Sequence, residues 1–407
     1  MRDEYDIGIV GGGMVGASMA LALRATCARV VLIESIPPRS DTQPSYDDRG
    51  IALSLASCRI MEKLGVWDAV QSSANPIRRV HVSQQGCFGR VQLDATTLGL
   101  DALGHVVLAR RLGEALYQGL RDAAHVELLC PARVECATPD PDAVTLTVRM
   151  DRGDGMLRCR LLIAADGTQS RLREQLGIRS QNRDYGQTAL VASVKPARHH
   201  DDTAYERFTP GGPLALLPLR DGRCVAVFSV ANAMLEEYSR MDDDAFLARL
   251  DAAWSRRLGG FTQAGPRRSY PLVMMQAETQ ILDRVVLLGN AAHTIHPNGA
   301  QGFNLGMRDI AGLAEHVNAA LQAGRDPGKR AVLSTYLTSR SADQRRVVEF
   351  SDGVARLYCC GHWAATPVRT AAMLLADTVP PLKRALLRHG TGLYGRQPAW
   401  VRGATVP

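Results

Sequence analysis

Residues 5–34 carry a spacing that points to a dinucleotide-binding β-α-β unit. Tyr5-Asp6-Ile7-Gly8-Ile9-Val10 reads as a short buried strand, Gly11, Gly13 and Gly16 follow in G-x-G-x-x-G register, and Ala17 to Leu23 reads as a helix. A second apolar strand, Val30-Val31-Leu32-Ile33, ends at Glu34, about 20 residues on, where the fingerprint places an acid. Each position has a physical reason. Gly11 allows the tight turn, Gly13 lets backbone approach a pyrophosphate, and Gly16 lets helix and strand pack closely. The helix N-terminus offers free N–H groups and partial positive charge to phosphates. Glu34 is suited to accept hydrogen bonds from ribose hydroxyls. Gly11, Gly13, Gly16 and Glu34 are therefore candidate cofactor-binding residues.

With 407 residues, 46% of them hydrophobic and 22% charged, the chain can bury two cores. Its nine cysteines show no metal-type spacing and no apolar leader precedes the first strand, which predicts a cytoplasmic protein with buried, unpaired thiols. No run of about 18 apolar residues predicts a bilayer span. The net charge of +7 is scattered, as in Arg110-Arg111 and Arg345-Arg346, rather than clustered among aromatics. That pattern argues against nucleic acid as a partner. It is compatible with a phosphorylated cofactor or an anionic membrane face.

The order of elements predicts an α/β protein with a discontinuous nucleotide-binding domain, built from residues 1–76, 100–180 and 281–340. A strand-rich domain, 77–99 and 181–280, is inserted between its pieces, and 341–407 forms a helical C-terminal region. Asp47 to Ser54 is expected to lead from a polar loop into a helix ending near Gly65.

Two further motifs follow buried strands. In Ala164-Ala165-Asp166-Gly167-Thr168, an acid at a strand's carboxyl edge stands beside a ligand crevice, or else serves as a helix cap. In Leu288-Gly289-Asn290-Ala291-Ala292-His293, a strand ends in Gly-Asn. The loop His296-Pro297-Asn298-Gly299-Ala300-Gln301-Gly302-Phe303-Asn304 then opens a long helix. Gly299 and Gly302 permit close approach of a flat ring, and the helix N-terminus near Gly302 can stabilise negative charge on it. His293 and His296 lack a carboxylate or cysteine to complete a metal set, so no metal is expected.

Together these motifs resemble the class A FAD-dependent aromatic hydroxylases, with a p-hydroxybenzoate hydroxylase-like fold, and within them those of ubiquinone biosynthesis. The resemblance covers roughly residues 5–350 and is sharpest at Asp48-Arg49-Gly50-Ile51-Ala52-Leu53, at Tyr205-Glu206-Arg207-Phe208-Thr209-Pro210-Gly211-Gly212-Pro213-Leu214-Ala215-Leu216-Leu217-Pro218, and at Gly289-Asn290-Ala291-Ala292. Most relatives carry Gly-Asp where this chain has Gly289-Asn290; the branch acting on 2-polyprenyl-6-methoxyphenol typically carries Gly-Asn. The resemblance implies that Gly11, Gly13, Gly16 and Glu34 bind the ADP half of FAD. It implies that Arg49, and Arg111 or its neighbour Arg110, contact the cofactor. Asp166 and Gly167 would touch FAD and support NAD(P)H, and Asn290 would hold the ribityl-pyrophosphate part. Pro297, Gly299, Gln301, Gly302 and Asn304 would line the isoalloxazine, the first four at the reacting edge. It further implies an NAD(P)H- and O2-dependent monooxygenase acting on a prenylated phenol through a flavin C4a-hydroperoxide.

The same resemblance implies peripheral contact with the inner membrane and with other proteins of the pathway. The segment from Ala364 to Leu387, mixing leucines with Arg369, Lys383, Arg384 and Arg388, reads equally as an interfacial helix pair or as a helix packed on the core. Glu206-Arg207 reads as a possible cross-strand ion pair, and no substrate base is assigned. A same-fold flavoprotein acting on another aromatic and a non-catalytic escort protein are the alternative readings.

Overall fold

The computed structural model describes residues 3–24, 26, 28–38, 49–151, 153–254, 257–359 and 365–402. Asp48, quoted above, lies outside them, as does Ala364. The opening unit forms β1 (Glu4–Val10), α1 (Met14–Ala22) and β2 (Val30–Ile33). β1 runs parallel to β2 on one side and to the strand Gly153–Ala164 on the other. Val126–Leu129 extends the sheet beyond β2, and Val285–Leu287 extends it beyond Gly153–Ala164, both in parallel. Strands covered on both faces must be apolar throughout, and Ile7, Ile9, Val30, Leu32, Leu161 and Ile163 are all buried. One face packs against α1 and the helices Ala109–Arg121 and Gln301–Gln322. The other is covered by the antiparallel strands Ala132–Pro139 and Val144–Met150.

A second sheet of nine strands packs over the three-stranded sheet Gly50–Ser54, Gly104–Leu108 and Asn75–Ile77. Its centre runs Arg268–Ala277, Ser180–Pro196, Cys224–Ala231, Gly212–Pro218, Thr203–Thr209 and Arg79–Gln84. Strand alternation divides it into two faces. The outer face buries Leu190, Leu214, Leu216, Ala226 and Phe228 beneath the helix Asp243–Trp254. The inner face sets Val191, Ala204, Leu217 and Val225 against Ile77 and Val106.

The segment Gly50–Ser54 is a strand, paired with Gly104–Leu108, and it leads, as the sequence suggested, into a helix that ends at Gly65. The helix Leu55–Leu64 begins only after Ser54, whose hydroxyl accepts the Ser57 N–H. Thiol burial is also mixed. Cys58, Cys159 and Cys224 are buried, and burial pushes each up to about 12. Cys136 is exposed because it occupies an outward position of its strand.

The helix Arg330–Cys359 packs along Gln301–Gln322 and encloses a buried charge network. Asp309 accepts from Arg340 Nε at 2.8 Å and pairs with His293 Nε2 at 2.8 Å. Asp343 accepts from Arg340 Nη2 at 2.6 Å and from Arg308 Nε at 2.8 Å. Helices Ala365–Thr378 and Pro380–Gly390 close the described chain against the Arg79–Asp94 hairpin and its neighbours.

Candidate functional site

The turn after β1 leaves room for glycine alone. Gly11 has φ +102°, and a Cβ there would lie 2.4 Å from the Ala165 carbonyl oxygen. A Cβ on Gly16 would lie 1.8 Å from the Gly11 carbonyl oxygen. Gly13 is the N-cap of α1 and supplies no side-chain capping bond, so the first-turn N–H groups have no side-chain acceptor there. Glu34 is buried beside this turn. Its Oε2 accepts the Gly12 N–H at 2.5 Å and its Oε1 the Ile36 N–H at 2.7 Å. A carboxylate has about four acceptor positions, so capacity remains for hydroxyl donors. Tyr117, from the helix Ala109–Arg121, donates to the Gly12 carbonyl oxygen at 2.9 Å and clamps the turn from behind. Sequence reasoning missed Tyr117; its place three residues before Leu120, on the buried side of an amphipathic helix, was the available signal.

The other two strand-end motifs arrive at the same edge. The Ala165 N–H donates to Val10 and the Leu288 N–H to Ala164, at 2.8 and 2.9 Å. Gly11, Asp166 and Gly289 therefore stand side by side at the carboxyl ends of adjacent parallel strands, where open α/β sheets bind ligands. Gly167 follows at φ +87°. Asp166 Oδ2 accepts the Leu172 N–H at 3.3 Å, while Oδ1 is buried without a partner, and burial raises this carboxyl. The cap of the helix Arg171–Gln175 is Ser170. A Cβ on Gly289 would lie 3.0 Å from Val15 of α1, and one on Gly306 would lie 3.7 Å from Gly289, so the late motif sits directly on the first turn of α1. Asn290 is exposed at this edge.

The loop before the long helix forms a second rim. Pro297 and Gly299 are exposed, and Gly299 and Ala300 both take left-handed backbone, at φ +65° and +52°. Gln301 is buried; its Nε2 donates to the Gly299 carbonyl oxygen at 3.1 Å and its Oε1 has no partner. Gly302 sits over Ile295, 3.5 Å from where its Cβ would be. Asn304 spends its full amide capacity inside the protein. It accepts the Ser54 N–H at 2.8 Å and the Ser57 hydroxyl at 2.7 Å, and donates to Ala52 and Ala300, both at 2.8 Å. Its place is thus that of a brace between this loop and the strand Gly50–Ser54. Arg49 immediately precedes the strand Gly50–Ser54, its guanidinium 4.5 Å from the centre of the Tyr270 ring of the second sheet. Arg110 and Arg111 are exposed, and Arg111 stands 3.4 Å from Glu114.

The suspected Glu206–Arg207 pair is overturned, because adjacent strand residues point to opposite faces. Arg207 turns outward, donating to Ala253 at 2.8 Å and to Ser83 at 3.4 Å. Glu206 turns inward and accepts the Gly299 N–H, and burial raises its carboxyl to about 7. Sequence reasoning gave this acid no part in the site.

These parts fit a dinucleotide bearing a flat ring system. The turn admits no Cβ, the helix end is open, a carboxylate is pinned beside it, and two buried oxygens, Asp166 Oδ1 and Gln301 Oε1, lack partners. Among the described residues, no group of three His, Cys, Asp or Glu side chains is placed to hold a metal ion.

Comparison with known proteins gives the same answer. The FAD binding domain family matches residues 4–351. The ubiquinone hydroxylase UbiL of Rhodospirillum rubrum is 34% identical, covering 98% of this chain and 93% of that one. The 3-demethoxyubiquinol 3-hydroxylase of Escherichia coli (strain K12) is 32% identical over 95% of this chain and 98% of its own. The crystal structure of p-nitrophenol 4-monooxygenase PnpA from Pseudomonas putida DLL-E4 superposes with a TM-score of 0.80 at 20% identity, covering 97% of this chain and all (100%) of that one. Fold and site define a flavoprotein monooxygenase that uses FAD and is reduced by NAD(P)H. The chain belongs to the FAD binding domain family and, within it, to the class A aromatic hydroxylases of ubiquinone biosynthesis.

Proposed function

We propose that the protein inserts one oxygen atom from O2 into a prenylated phenol of the 2-polyprenyl-6-methoxyphenol type. The observations that carry this reading are the packing of Gly289 and Gly306 on Val15 at the start of α1 and the Gly299 N–H bonded to Glu206 of the second sheet. In this reading Gly11, Gly13, Gly16 and Glu34 hold the ADP half of FAD. Asp166 and Gly167 touch FAD and support NAD(P)H, and Asn290 holds the ribityl-pyrophosphate part, with Arg49 and Arg111 as further cofactor contacts. Bound FAD supplies hydride acceptance from NAD(P)H and activation of oxygen. The protein's share is to orient and to exclude water. Pro297, Gly299, Gln301 and Gly302 form the rim against which the ring lies, and Asn304 fixes that rim. Apolar Val82, Ala215 and Val227, on the inner face of the second sheet, offer a phenolic lipid an apolar surface.

The test is direct. FAD-loaded protein given NAD(P)H, 18O2 and a short-tailed 2-prenyl-6-methoxyphenol is expected to yield product carrying one labelled atom. NAD(P)H oxidation should rise with the phenol. Bound flavin that NAD(P)H does not reduce would instead favour an escort role. In strains blocked at each ubiquinone hydroxylation, rescue confined to the methoxyphenol step is expected, and rescue of a different step would assign a different ring.

We further propose that the C-terminal helices approach an anionic membrane. Among the described residues no helix is long and apolar enough to cross one. Met373, Ala376 and Leu387 pack inward, while Leu375, at 54% exposure, turns out together with Val368, Leu374, Val379 and Leu382. Phe88, 84% exposed, lies beside Gly89, which neighbours Leu374. Arg384 and Arg388 are exposed on the following helix. Co-sedimentation with phosphatidylglycerol vesicles is expected, and Leu375→Glu should weaken it about tenfold through the lost apolar burial. Unchanged binding would discard this face as the contact.

A further inference from the structure

We propose that Glu206 takes the phenolic proton of the substrate, its carboxylate held against the Pro297–Asn304 loop by the Gly299 N–H. This assignment rests on the phenol-hydroxylation reading above.

Alternation along Thr203–Thr209 fixes where the side chain points. Tyr205 and Arg207 face outward, Tyr205 edge-on to Trp254 at 5.5 Å between ring centres and Arg207 against Ala253. Ala204 and Phe208 face inward, Ala204 toward Ile77 and Val106, and Phe208 stacked on Tyr358 at 3.8 Å. Glu206 lies between those two inward contacts. Its partners in register are Val82 on one side and Ala215 on the other, with Val227 beyond Ala215. All three are half-buried, whereas Leu214, Leu216 and Ala226, which point the other way, are fully buried. The inward row is thus an apolar surface still reachable from solvent, with one carboxylate set into it and small Ala215 leaving space beside it.

That carboxylate differs from the structural ones. Asp309 and Asp343 are each compensated by arginines, and both are held below the usual carboxylate range. Glu206 faces no charged partner among the described residues and is raised to about 7 by burial. Nearby titratable groups are engaged elsewhere. His81, in the strand Arg79–Gln84, sits on the outer face 3.4 Å from Arg257. Arg49 covers Tyr270, His296 packs edge-on to Tyr185 at 4.9 Å, and Tyr358 lies against Phe208. An uncompensated buried acid costs stability, and such groups concentrate where chemistry needs them. The one bond it does make goes to the loop expected to edge the ring system.

The chemistry needs no further reactant. The phenol O–H bond breaks, its electron pair stays on the phenolic oxygen, and the proton passes to one Glu206 oxygen while the Gly299 N–H holds the carboxylate. The ring carbon that must attack oxygen becomes more electron-rich. A carboxyl near 7 lies closer than an ordinary one to a phenol of pKa about 10, which favours the transfer.

Holoenzyme carrying Glu206→Gln is compared with the parent, using a short-tailed 2-prenyl-6-methoxyphenol as probe. Flavin content should be retained, and kcat for hydroxylation should fall about 100-fold or more. The parent's rate should rise as pH increases through about 7 and Glu206 deprotonates, and this rise should vanish in the variant. Glu206→Asp should recover the pH response with a rate at least about tenfold below the parent, since the carboxylate is withdrawn by one methylene. It also carries the test if the glutamine variant fails to fold. A glutamine variant within about threefold of the parent, or an aspartate variant without the pH response, overturns the assignment. If the parent hydroxylates no phenolic lipid, the reading beneath fails and the assignment with it. If the parent does so and Glu206→Gln matches it, the assignment alone fails.

Discussion

Gly16→Ala will yield a protein without FAD. The added methyl group would sit 1.8 Å from the Gly11 carbonyl oxygen, about half an ordinary contact distance, and that atom is backbone. Gly11 cannot retreat easily, because its N–H is bonded to the Ile33 carbonyl and its own Cα faces Ala165. The clash must therefore lift the start of α1 away from β1, and it moves the helix end from where a pyrophosphate would lie. Displacements of about 1 Å in positioned sites cost about 100-fold, so FAD affinity should fall at least that far. Flavin absorbance of the purified protein and titration with FAD measure it. Gly353→Ala is the control, since a Cβ at Gly353 meets nothing within 4 Å. If Gly16→Ala purifies yellow with the parent's affinity, the turn does not hold the cofactor.

Asp309→Asn should cost about 3–5 kcal/mol of stability, the usual penalty for breaking a buried ion pair on one side. The Arg308 and Arg340 side chains are each only 1% exposed, so neither finds water when a carboxylate is neutralised. Asp343 would then face the Arg308 and Arg340 guanidiniums alone, at 2.8 and 2.6 Å, with Arg346 a third at 3.7 Å. The denaturant midpoint reports the loss, and an unchanged midpoint would show that the pairs balance their own desolvation. Acid acts on the same network. Arginines hold Asp343 down at about 2, against 3.8 for an ordinary aspartate, and Asp309 is lowered by the same cause. The unfolded chain therefore takes up these protons first, and the stabilisation present above about pH 4 is lost as pH falls toward about 2. Because His293 follows the Asn290 motif and Arg308 Nη1 donates to the Asn304 carbonyl oxygen at 3.2 Å, weakened flavin retention should accompany the unfolding.

What could be read in the amino-acid string follows the range of the forces involved. Gly11, Gly13 and Gly16 are legible because local backbone sterics dictate them, and the helix read from Ala17 to Leu23 is present as Met14–Ala22. Asn304 looks like one more loop amide, since its partners Ala52, Ser54 and Ser57 lie some 250 positions upstream and leave no local trace. Glu206 beside Arg207 suggests attraction until strand pairing sends the two to opposite faces. Asp309, Arg340 and Asp343 have the composition of a solvated helix surface. Only the packing of two long helices buries them, with Gly312 giving Arg340 its space, 2.8 Å from where a Cβ would be. Between Arg110 and Arg111 local phase could not decide, and both remain outside the packed side of their helix.

The fourfold engagement of Asn304 bears on biosynthesis. A ribosome delivers β1, α1 and β2 first, yet the strand beside β1 comes only with residues 153–164 and the next with 285–287. The rim that Asn304 ties to Gly50–Ser54 emerges later still. On the reading proposed above, a nascent polypeptide displays its glycine turn well before the rim that would retain a flavin exists, so capture of that vitamin-derived group follows the synthesis of Asn304.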